Sequence, residues 1–328
     1  MEGQGTSPLV LQDRGAKNMK RIIVTGATSY IAAALIKRLL DEKYYIYAIV
    51  RPNSVNRNKL PQNRNLTVLE IPMAEYSLLN TMDLGEVDAV YHFAWNGVRG
   101  TSRTDSLLQA GNIQWTMDLL DVVCRKHIPY FIGMGSQAEY GITGTQLVTE
   151  DTKLNPVEPY GSAKTQIYQY GMNLTHGHGF TFLWARIFSA YGYGESPGTL
   201  IMSSLYKMLR NEAVELSPCE HLWDYLYRDD LAEALYQLYA AGSPSGAYNI
   251  SYGSPEPLKN FIEKMKSMLH SDSRLLYGAV PYGEYIVQMN PSIEKICSVT
   301  QWKPETDFET GIQKLYREMQ NAGKCRNV

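Results

Sequence analysis

Residues 21–32 read RIIVTGATSYIA, a short β-branched run that passes through a glycine turn into a helical pattern. The run Arg21–Thr25 predicts a buried strand, and residues 30–42 are rich in helix formers. A second apolar run, Tyr45–Val50, predicts the next strand. These three pieces have the order and length of a βαβ unit, so they predict the start of a parallel sheet.

The turn between the first strand and the helix carries a pattern of small residues. Gly26, Ser29 and Ala32 match the spacing GxxGxxA, with serine in the place of the middle glycine. Such a turn lets backbone N–H groups and the helix N-terminus face a pyrophosphate, although ordinary strand-to-helix turns also use small residues. The residues expected to bind a dinucleotide here are Gly26, Thr28, Ser29, Tyr30 and Ile31.

Strand and helix patterns continue to alternate through the first half of the chain. Alternation of this kind predicts an α/β fold with a Rossmann-like, doubly wound parallel sheet, whose strand C-termini form the ligand-binding edge. The further strands are predicted at residues 66–71, 89–93, 130–134 and 181–187, and the helices at residues 106–125 and 160–175.

Composition divides the chain into three parts. Residues 1–18 are polar and predict a flexible leader or tag, and residues 19–187 predict the dinucleotide-binding Rossmann domain. From residue 188, Gly, Pro, Tyr and Ser become frequent between short helical patterns. Residues 188–328 are therefore expected to form mainly a smaller, C-terminal substrate-binding region, with a soft boundary because some segments return to the main sheet.

Composition and charge also restrict the class of protein. Of the 328 residues, 44% are hydrophobic, which suits a large core, and the net charge of -2 gives no reason to expect a nucleic-acid or membrane partner. The four cysteines form no CxxC pair and the six histidines are dispersed. Reduced thiols, a cytoplasmic location and no bound metal are the simplest expectations.

The end of the second predicted strand bears on the choice of dinucleotide. NAD-binding sheets usually carry an acidic residue there, which binds the ribose hydroxyls. This chain has Arg51 instead, and a guanidinium can pair with a 2′-phosphate. A solvated arginine is also common at a strand end. NADP(H) is therefore favoured as the cofactor, and NAD(H) stays possible.

A catalytic pattern lies in the segment PYGSAK. Tyr160 and Lys164 are four residues apart, so on a helix they share a face, and the ammonium can lower the pKa of the phenol. A phenol of this kind can move a proton to or from a carbonyl oxygen. Ser136 follows the fifth predicted strand, where its hydroxyl can hold the reacting oxygen. The candidate catalytic residues are Ser136, Tyr160 and Lys164.

Two further segments contribute candidate residues at the sheet edge. After the fourth predicted strand, the backbone of Phe93 and Ala94 is expected to line the cofactor, Trp95 to contact the substrate, and His92 to be a packed residue. Asn112 opens the next helical pattern, where it either positions Lys164 through a water molecule or braces the sheet. Both Asn112 and Lys164 are also expected to help bind the cofactor.

From about Lys20 to residue 318 the chain resembles an extended short-chain dehydrogenase/reductase of the NAD-dependent epimerase/dehydratase family. The resemblance implies a Ser136–Tyr160–Lys164 triad, a nicotinamide dinucleotide, a nucleotide-sugar substrate and a homodimer formed through the helices that contain Asn112 and Tyr160. The segments that carry it are TGATSYIA, YHFAW, the Asn112 segment, GSQAEYG, PYGSAK, ARIFSAYG and WDYLYRDDLAEAL.

Departures from the family pattern restrict the reaction. The family's 4,6-dehydratases carry an Asp-Glu pair directly after the catalytic Ser or Thr, and those acids perform the elimination. Gln137 and Ala138 occupy these positions, and Glu139 comes one place too far along the chain. Dehydration is therefore disfavoured, and Gln137 becomes a candidate substrate contact.

The resemblance also implies substrate contacts that this chain has changed. Trp223 stands where the family commonly has a phosphate-binding arginine, and Ser189 where it has asparagine. Trp223 is expected either to stack on a base or to pack, while Arg186 or Arg228 is expected to meet the substrate phosphates.

Three functions remain as hypotheses. The first is an NADPH-dependent reductase of a nucleotide-linked 4-keto-6-deoxy-sugar, and the second is a nucleotide-sugar 4-epimerase with tightly held NAD. The third is a non-catalytic dinucleotide-binding sensor, which the incomplete glycine pattern suggests and the complete triad opposes.

Overall fold

The computed structural model describes residues 19–283 and 286–323, so the predicted leader at residues 1–18 lies outside the described residues. The strands are β1 (Arg21–Thr25), β2 (Tyr45–Val50), β3 (Leu66–Glu70), β4 (Ala89–His92), β5 (Tyr130–Ser136), β6 (Thr181–Ile187), β7 (Ala190–Tyr191), β8 (Val214–Leu216), β9 (Leu222–Trp223), β10 (Leu226–Tyr227), β11 (Gly246–Ile250), β12 (Glu256–Pro257) and β13 (Leu275–Tyr277). The α-helices are α1 (Tyr30–Asp41), α2 (Ser106–Arg125), α3 (Pro159–His178), α4 (Leu200–Leu209), α5 (Arg228–Ala240), α6 (Leu258–Met268), α7 (Glu294–Thr300) and α8 (Phe308–Asn321).

The main sheet has seven parallel strands in the order β11-β6-β5-β4-β1-β2-β3. The strand order reverses between β1 and β4, because β2 and β3 extend to one side and β5, β6 and β11 to the other. Ligands of such sheets bind in the crevice at this reversal, beyond the strand C-termini. The predicted Rossmann-like, doubly wound fold is confirmed.

Helices cover both faces of the sheet because each carries an apolar stripe at helical spacing. In α1 the buried positions are Ala32, Leu35, Ile36, Leu39 and Leu40, the i, i+3, i+4 pattern of an amphipathic helix. Helices α1 and α5 pack together on one face, and α2 and α3 pack on the other. The two helical layers leave the strand C-termini free to form the site.

Two segments beyond residue 187 belong to the sheet layer. Strand β11 pairs in parallel with β6, so that Gly246 lies beside Leu183 and Ile250 beside Ile187. Helix α5 packs against α1 on the same face of the sheet. Strand β11 and helix α5 therefore return to the main sheet although they follow residue 187 in the chain.

The remaining C-terminal segments form a second, smaller core. Helices α4, α6 and α8 enclose it together with residues of the short strands β8 and β10; its buried members include Leu205, Met208, Phe261, Ile312 and Leu315. This lobe lies after β6 and β7 in the chain. Within the described residues, no helix has both the length and the apolarity needed to cross a membrane.

Candidate active site

The turn after β1 approaches the chain after β4 so closely that only glycine fits. Gly26 has φ +61°, a left-handed conformation. A Cβ atom at this position would lie 2.6 Å from the backbone nitrogen of Ala94 and 2.9 Å from the carbonyl carbon of Phe93. The absence of a side chain therefore holds the β1 turn against the β4 segment, and both segments border the reversal of the sheet.

Replacing Gly26 with alanine is expected to lower the free energy of unfolding by about 2 kcal/mol, because the added Cβ meets rigid backbone and the left-handed φ becomes strained. Urea denaturation would measure the loss. Gly144 provides the control, since its φ is +59° but no atom lies within 4 Å of its Cβ position. An equal loss in Gly144→Ala would show that backbone strain, rather than close packing, is the cause.

Helix α1 begins directly behind this turn. Ser29 caps it, with φ -69° and with its Oγ accepting a hydrogen bond from the Ala32 backbone N–H at 3.2 Å. Serine is tolerated in place of the motif glycine because this φ is negative. The other first-turn N–H groups have no acceptor within the helix, and with the close glycine turn they fit a pyrophosphate.

The other predicted residues of this turn have different surroundings. The Tyr30 hydroxyl donates to the Ala190 carbonyl at 2.9 Å, which ties α1 to β7. Thr28 and Tyr30 line a cavity of about 560 Å³ on the α5 side of α1, and none of Ser136, Tyr160 and Lys164 lines it. Ile31 packs against the core under α1. We assign the candidate site to the sheet edge rather than to this cavity, because the candidate catalytic side chains lie at the edge.

Arg51 directly follows β2 and is exposed. It lies at the carboxyl end of the strand next to β1. Residues 51–64 contain three further cationic residues, Arg57, Lys59 and Arg64, and neither Asp nor Glu. Arg57 pairs with Glu70 at the end of β3, and the remaining cationic residues of this segment fit a phosphate better than a bare ribose.

The structure brings the three predicted catalytic side chains together. Ser136 ends β5, Tyr160 lies in the first turn of α3, and Lys164 follows one turn later. Hydrogen bonding with Ser136 lowers the pKa of the Tyr160 phenol, and the Lys164 Nζ donates to the Met134 carbonyl of β5 at 2.7 Å. All three are at most 9% exposed. A hydroxyl pair beside an amine can bind and protonate a carbonyl oxygen.

Trp95 covers the amine of this group. The Lys164 Nζ lies 3.4 Å from the centre of the Trp95 ring, and Trp95 meets Tyr160 edge to face at 6.3 Å. The indole N–H donates to Gln109 Oε1 at 2.8 Å, which fixes the ring. The predicted substrate contact Trp95 is therefore adjacent to the two side chains expected to move the proton.

Burial sets the electrostatics of the site. It lowers the pKa of Lys164 to about 7, with the Glu139 carboxylate acting in the opposite direction. It raises the pKa of the Tyr160 phenol, while the Arg103 guanidinium and the hydrogen bond with Ser136 lower that pKa. The ammonium is thus easily deprotonated, and the phenol is a weak acid that neighbouring charges can tune.

Asn112 connects α2 to the segment that carries Trp95. Its Oδ1 accepts from the Asn96 N–H at 2.9 Å, and its Nδ2 donates to the Asn96 carbonyl at 2.8 Å and to Gln109 Oε1 at 3.1 Å. Of the two roles considered for it, these contacts favour bracing. Through Asn96 and Gln109, Asn112 holds the segment that places Trp95 on Lys164.

His92 is a packed residue. Its Nε2 lies 3.1 Å from Thr116 Oγ1, which itself donates to the Asn112 carbonyl, so we assign the ring proton to Nε2. Its Nδ1 then accepts from Thr25 Oγ1 at 2.7 Å. Burial, followed by the nearby Lys164 charge, lowers the pKa of His92 to about 3. The neutral ring joins β1, β4 and α2 below the site.

Glu139 and Arg186 form a fully buried ion pair behind Ser136. Arg186 Nε lies 2.9 Å from Glu139 Oε2, while Glu139 Oε1 accepts from the Ser136 N–H at 2.8 Å and from Trp184 Nε1 at 2.9 Å. Arg186 also donates to the Tyr140 hydroxyl at 3.0 Å and is 1% exposed. Contrary to the expectation that Arg186 meets substrate phosphates, its guanidinium is already engaged inside the protein.

Comparison with known proteins identifies the family of this chain. The model of the NAD dependent epimerase/dehydratase family matches residues 22–251, which include the glycine turn, the main sheet apart from Arg21, and the Ser136–Tyr160–Lys164 group. The chain belongs to the NAD-dependent epimerase/dehydratase family. It is accordingly an enzyme of the extended short-chain dehydrogenase/reductase type, so the sensor hypothesis is not retained.

Two curated relatives match over almost their whole length. CDP-abequose synthase of Salmonella muenchen is 23% identical over 303 residues, which are 90% of this chain and 97% of that protein. A putative UDP-glucose 4-epimerase of Methanocaldococcus jannaschii is 24% identical over 309 residues, 92% of this chain and 99% of its own length.

Solved structures share the fold at low identity. UDP-glucose 4-epimerase of Thermotoga maritima, solved with UDP-glucose, has a TM-score of 0.83 and 20% identity, with 92% of this chain and 99% of that chain covered. A dTDP-glucose 4,6-dehydratase of Streptomyces venezuelae, solved with NAD, has a TM-score of 0.80 and 18% identity, with 92% and 97% covered.

Two departures from the family pattern contact each other. The indole N–H of Trp223 donates to the Ser189 Oγ at 3.0 Å, so the residues that replace the usual arginine and asparagine form one uncharged pair. Trp223 also lies against Tyr225 and His221, at ring distances of 6.1 and 5.5 Å. Trp223, Tyr225 and His221 thus form an uncharged aromatic cluster beside Ser189.

The remaining predicted substrate residues divide between the site and the periphery. Gln137 follows Ser136 directly and is partly exposed at the sheet edge. Arg228 instead begins α5, where it forms ion pairs with Glu318 at 2.6 Å and Asp229 at 3.2 Å and donates to the Tyr193 carbonyl. It borders the cavity beside α1. The Arg228 guanidinium is thus already paired within the protein, as that of Arg186 is.

The structure adds one residue that the sequence patterns do not identify. Arg103 lies in the irregular segment after β4, with its guanidinium carbon 4.2 Å from the centre of the Tyr160 ring. No periodicity or motif marks it, because a loop residue reaches its partner only through the folded path of the loop.

Proposed function

We propose that this enzyme uses NADPH to reduce a nucleotide-linked 4-keto-6-deoxy-sugar. The observation that carries the proposal is the grouping of Ser136, Tyr160 and Lys164, all buried, at the end of β5 and the start of α3. A nucleotide-linked sugar is favoured as the substrate because the relatives are named for CDP-abequose and UDP-glucose.

The chain's own residues would bind the substrate carbonyl and supply one proton. Ser136 Oγ donates a hydrogen bond to the carbonyl oxygen, and Tyr160 Oη transfers its proton to that oxygen as the C=O group becomes CH–OH. A bound nicotinamide supplies the hydride. The turn at Gly26 and the first turn of α1 would hold its pyrophosphate.

Glu139 supports a reductase rather than a dehydratase. Elimination of water needs an acid and a base near the sugar, and Gln137 and Ala138 supply neither. Glu139 is the nearest carboxylate in sequence, but it is 0% exposed and bound to Arg186, Trp184 and the Ser136 N–H. It is not free to exchange a proton with a substrate.

Spectrophotometry tests the proposal through the loss of NADPH absorbance against a panel of nucleotide-linked 4-keto-6-deoxy-sugars. Turnover with at least one member is expected. A 4-epimerase with tightly held NAD is the second candidate, because a curated relative is named a UDP-glucose 4-epimerase. Copurified NAD, together with interconversion of sugar epimers without added cofactor, would replace the reductase proposal by the epimerase.

NADP(H) is the proposed cofactor, with Arg51 as the residue that binds its 2′-phosphate. Arg51→Ala is expected to weaken NADPH binding about tenfold, because one charge-assisted hydrogen bond is lost, and to leave NADH binding nearly unchanged. Fluorescence titration of both dinucleotides measures this. Arg64→Ala is the control, since Arg64 is exposed in the same cationic segment. Equal losses for both dinucleotides in Arg51→Ala would contradict the assignment.

We also propose a cytoplasmic homodimer. Leu107, at the start of α2, is 88% exposed, and Val157, just before α3, is 44% exposed. Apolar side chains on these neighbouring helix starts favour contact with a second copy. The free thiols of Cys124, Cys219 and Cys297 support a reducing compartment.

A further inference from the structure

Arg103 lies on the ring of Tyr160. It ends the 3-10 turn Gly100–Arg103 that follows β4, and its guanidinium carbon is 4.2 Å from the ring centre. The side chain is 25% exposed and forms an ion pair with Glu158, the residue immediately before α3. It also donates to the Val98 carbonyl at 3.4 Å. The guanidinium is thus held from two sides against the phenol.

The other cation near Tyr160, Lys164, lies farther from its ring and loses its charge more readily. The Lys164 Nζ lies 5.7 Å from the Tyr160 ring centre, farther than the Arg103 guanidinium, and donates to Met134. Burial brings the pKa of Lys164 to about 7, so part of the population is neutral at neutral pH. A guanidinium keeps its charge throughout that range, even where burial lowers its pKa as it does for Arg103.

Two carboxylates lie near the Arg103 charge, and the one that pairs with it offsets part of its field. Glu139 faces Tyr160 from beyond Ser136 and raises the pKa of the phenol, but its own partner is Arg186. Glu158 is bound to Arg103 itself. Burial raises the pKa of Tyr160 most, and Arg103 is the largest influence that lowers it.

We propose that Arg103 is a positioning residue whose guanidinium, held by Glu158, stabilises the phenolate that Tyr160 becomes when it gives up its proton. The inference rests on the proposed role of Tyr160 as the proton carrier. It assigns to Arg103, a loop residue, part of the stabilisation of the Tyr160 phenolate that is usually assigned to Lys164.

The titration of residue 160 tests this without any substrate. Placing 3,5-difluorotyrosine at position 160 alone gives the full chain a distinct ¹⁹F signal, whose shift with pH reports ionisation of that phenol. In Arg103→Gln the titration midpoint is expected to rise by about one pH unit, because a cation close to the ring is lost. Arg103→Lys is expected to restore part of the difference.

Arg99→Gln is the matched control. Arg99 belongs to the same segment and pairs with Glu195 at 3.4 Å rather than with Glu158, so its loss is expected to leave the midpoint unchanged. An unchanged midpoint in folded Arg103→Gln, or an equal rise in Arg99→Gln, would overturn the proposal.

Kinetics separate this inference from the proposed function. Once a keto-sugar that the enzyme reduces has been found, kcat and KM can be measured for it. Arg103→Gln is expected to lower kcat severalfold at neutral pH and to leave KM nearly constant. The pH profile of kcat is expected to move to higher pH. A raised KM with an unmoved pH profile would instead make Arg103 a substrate contact and refute the inference. If no keto-sugar is reduced, the proposed function fails, while the ¹⁹F result still decides the role of Arg103.

Discussion

Phenylalanine in place of Tyr160 is expected to lower turnover about 10³-fold, because the ring keeps its packing while the proton donor is lost. The ring contacts with Trp95 and Arg103 do not require the hydroxyl. Dinucleotide affinity is therefore expected to stay nearly constant. Steady-state turnover and fluorescence titration of NADPH measure the two quantities on the same preparation.

Tyr170→Phe is the control for this substitution. Tyr170 lies on the same helix, α3, where it packs against the core cluster of that face of the sheet. Tyr170→Phe removes a phenolic oxygen just as Tyr160→Phe does, yet turnover is expected to be unchanged because the Tyr170 hydroxyl is not at the site. Unaffected turnover in Tyr160→Phe would refute the proton-transfer mechanism.

Glutamine in place of Glu139 is expected to lower the free energy of unfolding by about 3–5 kcal/mol, because it leaves the Arg186 guanidinium charged and unpaired inside the protein. Both side chains are at most 1% exposed, so water cannot replace the lost carboxylate. Urea denaturation followed by circular dichroism gives the measurement.

Two further variants show whether the loss of the Glu139–Arg186 ion pair causes the lower stability. Asp121→Asn breaks the exposed Arg125–Asp121 pair on α2 and is expected to leave the unfolding midpoint unchanged. The double variant Glu139→Gln with Arg186→Met is expected to lose less unfolding free energy than the sum of the losses in the two single variants, since neither charge is then buried alone. Strict additivity would count against the ion pair as the source of the loss.

The site contains both residues that the sequence identifies and residues that it does not. Ser136, Tyr160 and Lys164 follow from local rules, since residues four apart share a helix face and a residue that ends a parallel strand lies at the ligand edge. Arg103 and Glu139 follow no such rule. Arg103 reaches Tyr160 across 57 positions of chain, through the path of an irregular loop.

The sequence by itself determined the Rossmann-like sheet, the positions of its first six strands and the helix that carries Tyr160 and Lys164. Hydrophobic periodicity is local, so a strand such as Thr181–Ile187 and a helix such as Ser106–Arg125 can be read from their own residues. The glycine turn is local in the same sense, because its φ and its spacing belong to one short segment.

Only the tertiary structure decided how distant side chains pair. Strand β11 has a Gly-containing sequence without clear alternation, and it becomes a strand by adding to the edge beside β6. Arg186 is a structural group because Glu139 faces it on the neighbouring chain segment, and Trp223 meets Ser189 for the same reason. Contacts between residues far apart in sequence depend on the packing of whole elements, and no local pattern encodes them.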